Sequence, residues 1–282
     1  LTGRPEGGWG DFVGLHPNRE LPLYAAQDLA AEGGFCLPIA DLHRFVRAHH
    51  VGGFTWLLRD RLADGQVAAD DALLELGRRY TDGWRETLIA ATENAAAVDT
   101  LIDDATVRWR LGTAAEHRAL GAGTLDPRRY ATLVRDKLAW ISLPSRALLL
   151  TRGDPARVKS FADAHDLFLL GLQTVDDVID RDEDRAHRGC DVPAALGCSA
   201  GALLRTAPKL VARSAALAAA AGFTWIASWL EAFGHAIRAW RLDGDMMMDE
   251  IEAIGLAGEI EETVLGIDDP AARAASAGHA LA

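Results

Sequence analysis

The chain has 282 residues, 49% of them apolar and 25% charged, with a formal net charge of −12. Such acidity disfavours nonspecific nucleic-acid binding, and no apolar run approaches the roughly 18 residues of a membrane span. Three cysteines (Cys36, Cys190, Cys198) form neither a disulfide framework nor a metal-type Cys-x-x-Cys pair, and the first residues lack a basic-then-apolar signal, so a reducing, cytoplasmic setting is expected.

Residues 1–35 are rich in Gly and Pro and read as an irregular arm. Beyond them Ala and Leu abound, and no stretch alternates long enough to suggest strands. Helices are expected at 37–50, 52–64, 69–96, 97–119, 127–151, 155–187, 199–220, 222–241 and 247–265, with a frayed tail from Asp268. No internal repeat or linker divides them. The expectation is one all-α domain over 36–267.

Two helices start on the same signal. Asp126-Pro127 and Asp154-Pro155 each place an N-cap before a proline at the first helical position. Pro144 should kink the first. In the second, Val158, Phe161, His165, Phe168, Leu172, Val175 and Ile179 step by 3, 4, 3, 4, 3 and 4 residues, and Gly189 supplies a stop. At 1.5 Å per residue that helix would be roughly 50 Å long. His165 falls on its stripe and reads as a core histidine. His49-His50 and Asp103-Asp104 read as surface.

The same helix carries Gln173-Thr174-Val175-Asp176-Asp177-Val178-Ile179-Asp180 directly behind the apolar run 167–172. On a helix Asp176, Asp180 and Asp184 share one face, where like charges repel, and a partly buried carboxylate is costly unless paired or metal-bound. A hard cation, Mg2+ before Ca2+, relieves both costs, because Mg2+ favours one or two carboxylates plus phosphate oxygens. The alternative is a solvated helix end, although acids there oppose the dipole. Farther on, Trp225, Trp229, Phe233 and Trp240 recur at helical spacing, either as cation-stabilising cavity walls or as core. Met246-Met247-Met248 has no physical account at this level.

Gly171-x-Gln173-x-x-Asp176-Asp177-x-x-Asp180 resembles the second aspartate-rich motif of the trans-prenyltransferase and class I terpene synthase superfamily. Tyr130-x-x-Leu133-x-x-x-Lys137 resembles its diphosphate-contacting lysine helix, and Arg188-Gly189-x-Asp191-Val192-Pro193 its basic loop. The resemblance covers about residues 50–200. It departs at the first aspartate-rich motif: Arg59-Asp60-Arg61-Leu62-Ala63-Asp64 stands where Asp-Asp-x-x-Asp belongs, and no Asn/Ser/Glu metal motif of the cyclases is visible.

The resemblance implies a bundle of about ten helices around an apolar cavity, often assembled as a homodimer. It implies Mg2+ held by Asp176, Asp177 and Asp180, with Asp60 and Asp64 as remnants of an opposite wall. Gln173 would hydrogen-bond substrate or ligand. Lys137, Arg59 and Arg188 would bind diphosphate, and Trp225, Trp229 and Phe233 would line the cavity. The activity implied is ionisation of an allylic prenyl diphosphate and transfer of the prenyl cation to an acceptor. A terpene cyclase and a noncatalytic partner subunit are the alternatives.

Overall fold

The structure, a computed structural model, describes residues 21–32, 37–63, 67–151, 155–238 and 246–266. Among these residues lie twelve α-helices and no strand, so the class is all-α. In chain order they are α1 (Leu21–Ala31), α2 (Ile39–Ala63), α3 (Asp71–Thr92), α4 (Ala95–Ala122), α5 (Pro127–Lys137) and α6 (Leu143–Leu150). Then come α7 (Pro155–Ile179), α8 (Arg181–Arg188), α9 (Val192–Leu196), α10 (Ala200–Ala220), α11 (Thr224–Arg238) and α12 (Met246–Leu265). No described helix is long and apolar enough to cross a membrane.

Several boundaries differ from the sequence expectation, each for a local reason. The last part of the supposed irregular arm is α1: Leu21, Ala25 and Leu29 recur one turn apart and are buried. Residues 1–20 and the tail from Asp268 lie outside the described residues. The helices expected at 37–50 and 52–64 are continuous as α2, with Gly52 and Gly53 buried inside it. Pro144 starts a helix instead of kinking one. It occupies the first turn of α6, where its missing N–H costs nothing.

The long helix expected over 155–187 ends at Ile179, and Asp180 (φ −89°, ψ 0°) turns the chain into α8. Backbone hydrogen bonds still cross the bend, Asp180 N–H to Asp176 O and Asp184 N–H to Asp180 O, both 2.9 Å. The bend changes the electrostatic standing of the acids. Asp182, Glu183 and Asp184 become the first turn of a new helix, where the dipole favours negative charge. Gly189 closes α8 in the left-handed conformation (φ 77°), as its position suggested.

The helices fall into two compact units. The first is drawn from Leu1–Trp109, Leu138–Ala162 and Ala218–Ser228. In it α2 packs along α3, α1 lies on α2, and α1, α2 and α3 all meet α6. Its core centres on Trp84, fully buried and stacked on Trp140 with ring centroids 5.1 Å apart. Asp28, 1% exposed, accepts the backbone N–H groups of Trp225 (2.7 Å) and Ile226 (3.2 Å), so α1 caps the free donors at the start of α11.

The second unit comprises Arg110–Lys137, Asp163–Leu217 and Trp229–Ala282. Here α12 packs on α5, and α7 lies close against α10. The approach of α7 to α10 requires Gly171, because a Cβ there would sit 2.9 Å from Val211 Cγ2 and 3.1 Å from the Ala207 carbonyl. At the start of α12, Asp249 accepts from the Ser199 hydroxyl (2.6 Å), tying α12 to the head of α10.

Gly52 is required by size. A methyl group there would meet the Trp84 indole at 2.7 Å. Gly52→Ala is expected to destabilise the protein by about 1–3 kcal/mol through overpacking. Urea unfolding followed by Trp fluorescence measures this, and an unchanged midpoint would show that the contact does not constrain α2.

Candidate functional site

The end of α7 has two faces. Thr174, Val175, Asp177 and Val178 are buried, whereas Asp176 and Ile179 are exposed, and so is Asp180 at the bend. Asp177 is thus the acid that the apolar helix carries inward. It accepts a hydrogen bond from the Tyr130 hydroxyl of α5 at 2.6 Å and another from Gln173 Nε2, one turn earlier, at 2.7 Å. Gln173 also reaches Asp176 at 3.4 Å.

Burial pushes the Asp177 carboxyl up from 3.8 to about 8; the Tyr130 and Gln173 hydrogen bonds oppose the shift, and the charges of Asp176 and Glu116 add to it. Burial likewise drives the Tyr130 hydroxyl well above its usual 10, with Asp177 reinforcing the shift. Burial thus biases both groups of the pair toward their neutral forms.

Beside this pair α4 crosses α5. Gly112 makes the crossing close, since a Cβ there would lie 2.7 Å from the Lys137 backbone nitrogen. One turn later on the same face, Glu116 meets Lys137 in an ion pair of 2.9 Å, with both side chains buried. Arg188, the last residue of α8, brings its Nη1 to 3.9 Å from the same carboxylate and 3.7 Å from Asp184. Burial raises the Asp184 carboxyl, and Arg188 counters it. One turn earlier in α8, Arg185 pairs with the buried Asp191, which caps α9 by accepting from Ala194 N–H at 2.8 Å.

Glu116, Lys137, Tyr130, Gln173 and Asp177 line one pocket, walled by Leu133, Val134 and Val192. It has room for about one water molecule. Two residues central to it, Glu116 and the Tyr130 hydroxyl, carried no site role in the sequence reading. Only the four-residue step from Gly112 to Glu116 hinted at the first. A glycine followed one turn later by an acid is too common to single out.

The other expected site residues are distributed as follows. Arg59 and Asp60 belong to the first unit, and Arg59 lies over the Trp140 ring (4.5 Å) and donates to Thr81 at 3.2 Å. Asp64 and Trp240 lie outside the described residues. Trp225 is half exposed in the first unit. Trp229 and Phe233 stack on each other at 5.8 Å and meet the buried Phe168 edge-on at 5.1 and 5.5 Å. None of these three aromatics lines the pocket at Asp177.

His165 is buried beside Phe168, in keeping with a core histidine, and Asp103 and Asp104 are exposed. His49 corrects the surface reading: it is 3% exposed on the inner face of α2. Met247 and Met248 are exposed in the first turn of α12.

Among the described residues no three His, Cys, Asp or Glu side chains converge closely enough to hold a metal by themselves. Asp176 and Asp180, exposed and one helical turn apart, supply at most two carboxylates. That donor set suits Mg2+ when phosphate and water oxygens complete the shell, which is the usual habit of this ion. No protein-family model, curated protein or solved structure matches the chain.

An acid with a raised folded-state pKa binds its proton more tightly folded than unfolded. The stability it supports is complete below about pH 4 and declines as pH rises toward about 8. Asp177→Asn cannot ionise and should lack that decline. Urea midpoints of both proteins across this range, in metal-free buffer, test it, and parallel profiles would exclude a protonated, buried Asp177.

Proposed function

We propose that the second unit binds an allylic prenyl diphosphate at the end of α7 and promotes transfer of its prenyl group to an acceptor. One observation carries this reading. Two cations that suit phosphate, Lys137 and Arg188, converge on the Glu116 carboxylate, and Asp184 feels the charges of both cations and of Asp180 at the exposed end of α7. Guanidinium and ammonium donors match phosphate oxygens in geometry and charge. The motif resemblance at 171–180 supplies the substrate class.

Asp176 and Asp180 are the residues that would hold Mg2+. Bound there, the ion would neutralise charge developing on the departing diphosphate, as Lewis-acid catalysis requires. Lys137 and Arg188 would orient the diphosphate and offset its remaining charge. The bond from the allylic carbon to the bridging oxygen breaks, and its electron pair leaves with diphosphate. An alkene or heteroatom of the acceptor then donates electrons to the allylic cation and afterwards loses a proton. Asp177, Tyr130 and Gln173 form the support that fixes this end of α7.

A second reading, a noncatalytic subunit of a prenyl synthase, is favoured by the small volume of the pocket and by the pairing of Lys137 with Glu116. Incubation with Mg2+ and geranyl, farnesyl or geranylgeranyl diphosphate, with and without isopentenyl diphosphate, separates the readings. Released diphosphate supports catalysis, and a volatile product without acceptor identifies a cyclase. Asp176→Ala is expected to abolish turnover while leaving helical circular dichroism unchanged, and chelation should do the same to the unaltered protein. Full turnover in that variant would falsify the site assignment.

A further inference from the structure

Glu116 is an acid where a diphosphate site should be positive. It is held in place by the backbone: Gly112 lets α4 press against the end of α5, and Glu116 follows one turn later. Its carboxylate lies 2.9 Å from the Lys137 ammonium and 3.9 Å from the Arg188 guanidinium, on the wall of the pocket that also contains Asp177 and Gln173. The Lys137 contact is one that a phosphate oxygen would make, and Arg188, 3.7 Å from Asp184 as well, stands at ion-pair distance from the same place. The pocket has room for only about one water molecule, so a phosphate group enters only if a wall side chain moves. Glu116 is the side chain whose departure both opens space and gives up the 2.9 Å contact with Lys137, while Arg188 keeps its approach to Asp184.

We propose that Glu116 is an internal stand-in for the substrate's diphosphate, holding Lys137 and Arg188 in the resting protein and yielding them when the ligand arrives. The inference rests on the reading of this pocket as a diphosphate site and adds a regulatory contact to it. A carboxylate carries one negative charge and diphosphate several, so the two cations gain by the exchange once Mg2+ offsets the surrounding acids. Until then Glu116 supplies a close counter-charge for the buried ammonium, whose loss would be costly. Glu116 thereby sets a threshold: monoanions do not displace it and diphosphates do.

The probe is inorganic pyrophosphate, titrated calorimetrically with and without Mg2+ into the full chain and into Glu116→Gln. The variant keeps the size of the side chain and an acceptor oxygen for Lys137 but loses the competing charge. It should bind pyrophosphate about ten-fold more tightly, the scale of one charge-assisted hydrogen bond. Equal or weaker binding by a folded Glu116→Gln overturns the proposal.

Should that variant lose its helical signal, the unaltered protein decides. The chain contains only three lysines, Lys137, Lys159 and Lys209, so 15N-lysine labelling gives a readable spectrum. Pyrophosphate should move the Lys137 ammonium signal and spare that of Lys159, and an unmoved Lys137 signal at saturation overturns the exchange. The catalytic reading fails separately. Tighter pyrophosphate binding without diphosphate release from any allylic substrate would sink catalysis and leave the Glu116 exchange standing.

Discussion

Everything distinctive about the second unit follows from one buried carboxyl group. Near its end the buried face of α7 departs from the expected stripe, leaving Ile179 exposed and running through Gly171, Thr174, Val175 and Val178, and Asp177 is carried inward with it. An ionised carboxylate there would lose most of its hydration, so burial favours the protonated form, while the donors Tyr130 and Gln173 pull the other way. Tyr130 must come from α5 and Gln173 from the preceding turn. That requirement fixes α5 against α7, and with α5 comes Lys137.

Charge is arranged in layers around that centre. Lys137 and Glu116 form an inner pair where water is scarce, and Arg188 joins it from the end of α8. Asp176 and Asp180 remain outside, in contact with solvent. Buried ion pairs are weak sources of stability, because desolvation offsets much of their attraction. The pair is better understood as a means of keeping two cations at a chosen place without a ligand. The bend at Asp180 serves the same end. It places three acids at a favourable helix start and lets Arg188 return toward Glu116 at the finish.

The first unit rests on a different kind of constraint, the stacking of Trp84 on Trp140 against a glycine in α2. Arg59, which the sequence offered as a phosphate contact, covers that stack and reaches Thr81. An arginine on an aromatic face needs no anion to explain its place. The aromatic residues of α11 likewise fall into a packing cluster around Phe168, where ring edges and faces satisfy each other.

Sequence alone determined the all-α class, most helix starts, the stop at Gly189 and the acidic end of α7. Each of these is encoded within a turn or two of chain, by apolar periodicity, capping residues and proline. The inward turn of Asp177 was not legible, because the stripe through Leu172, Val175 and Ile179 leaves it on the opposite face, and Ile179 is exposed in the structure. Only tertiary structure decided that Tyr130 meets Asp177, that Glu116 meets Lys137 and that His49 lies inside. These are contacts between helices distant in sequence or consequences of how helices pack. They depend on how closely two backbones approach, which small residues such as Gly112 and Gly171 permit but do not announce. Periodicity specifies which face of a helix is buried; the partner it is buried against is chosen by packing.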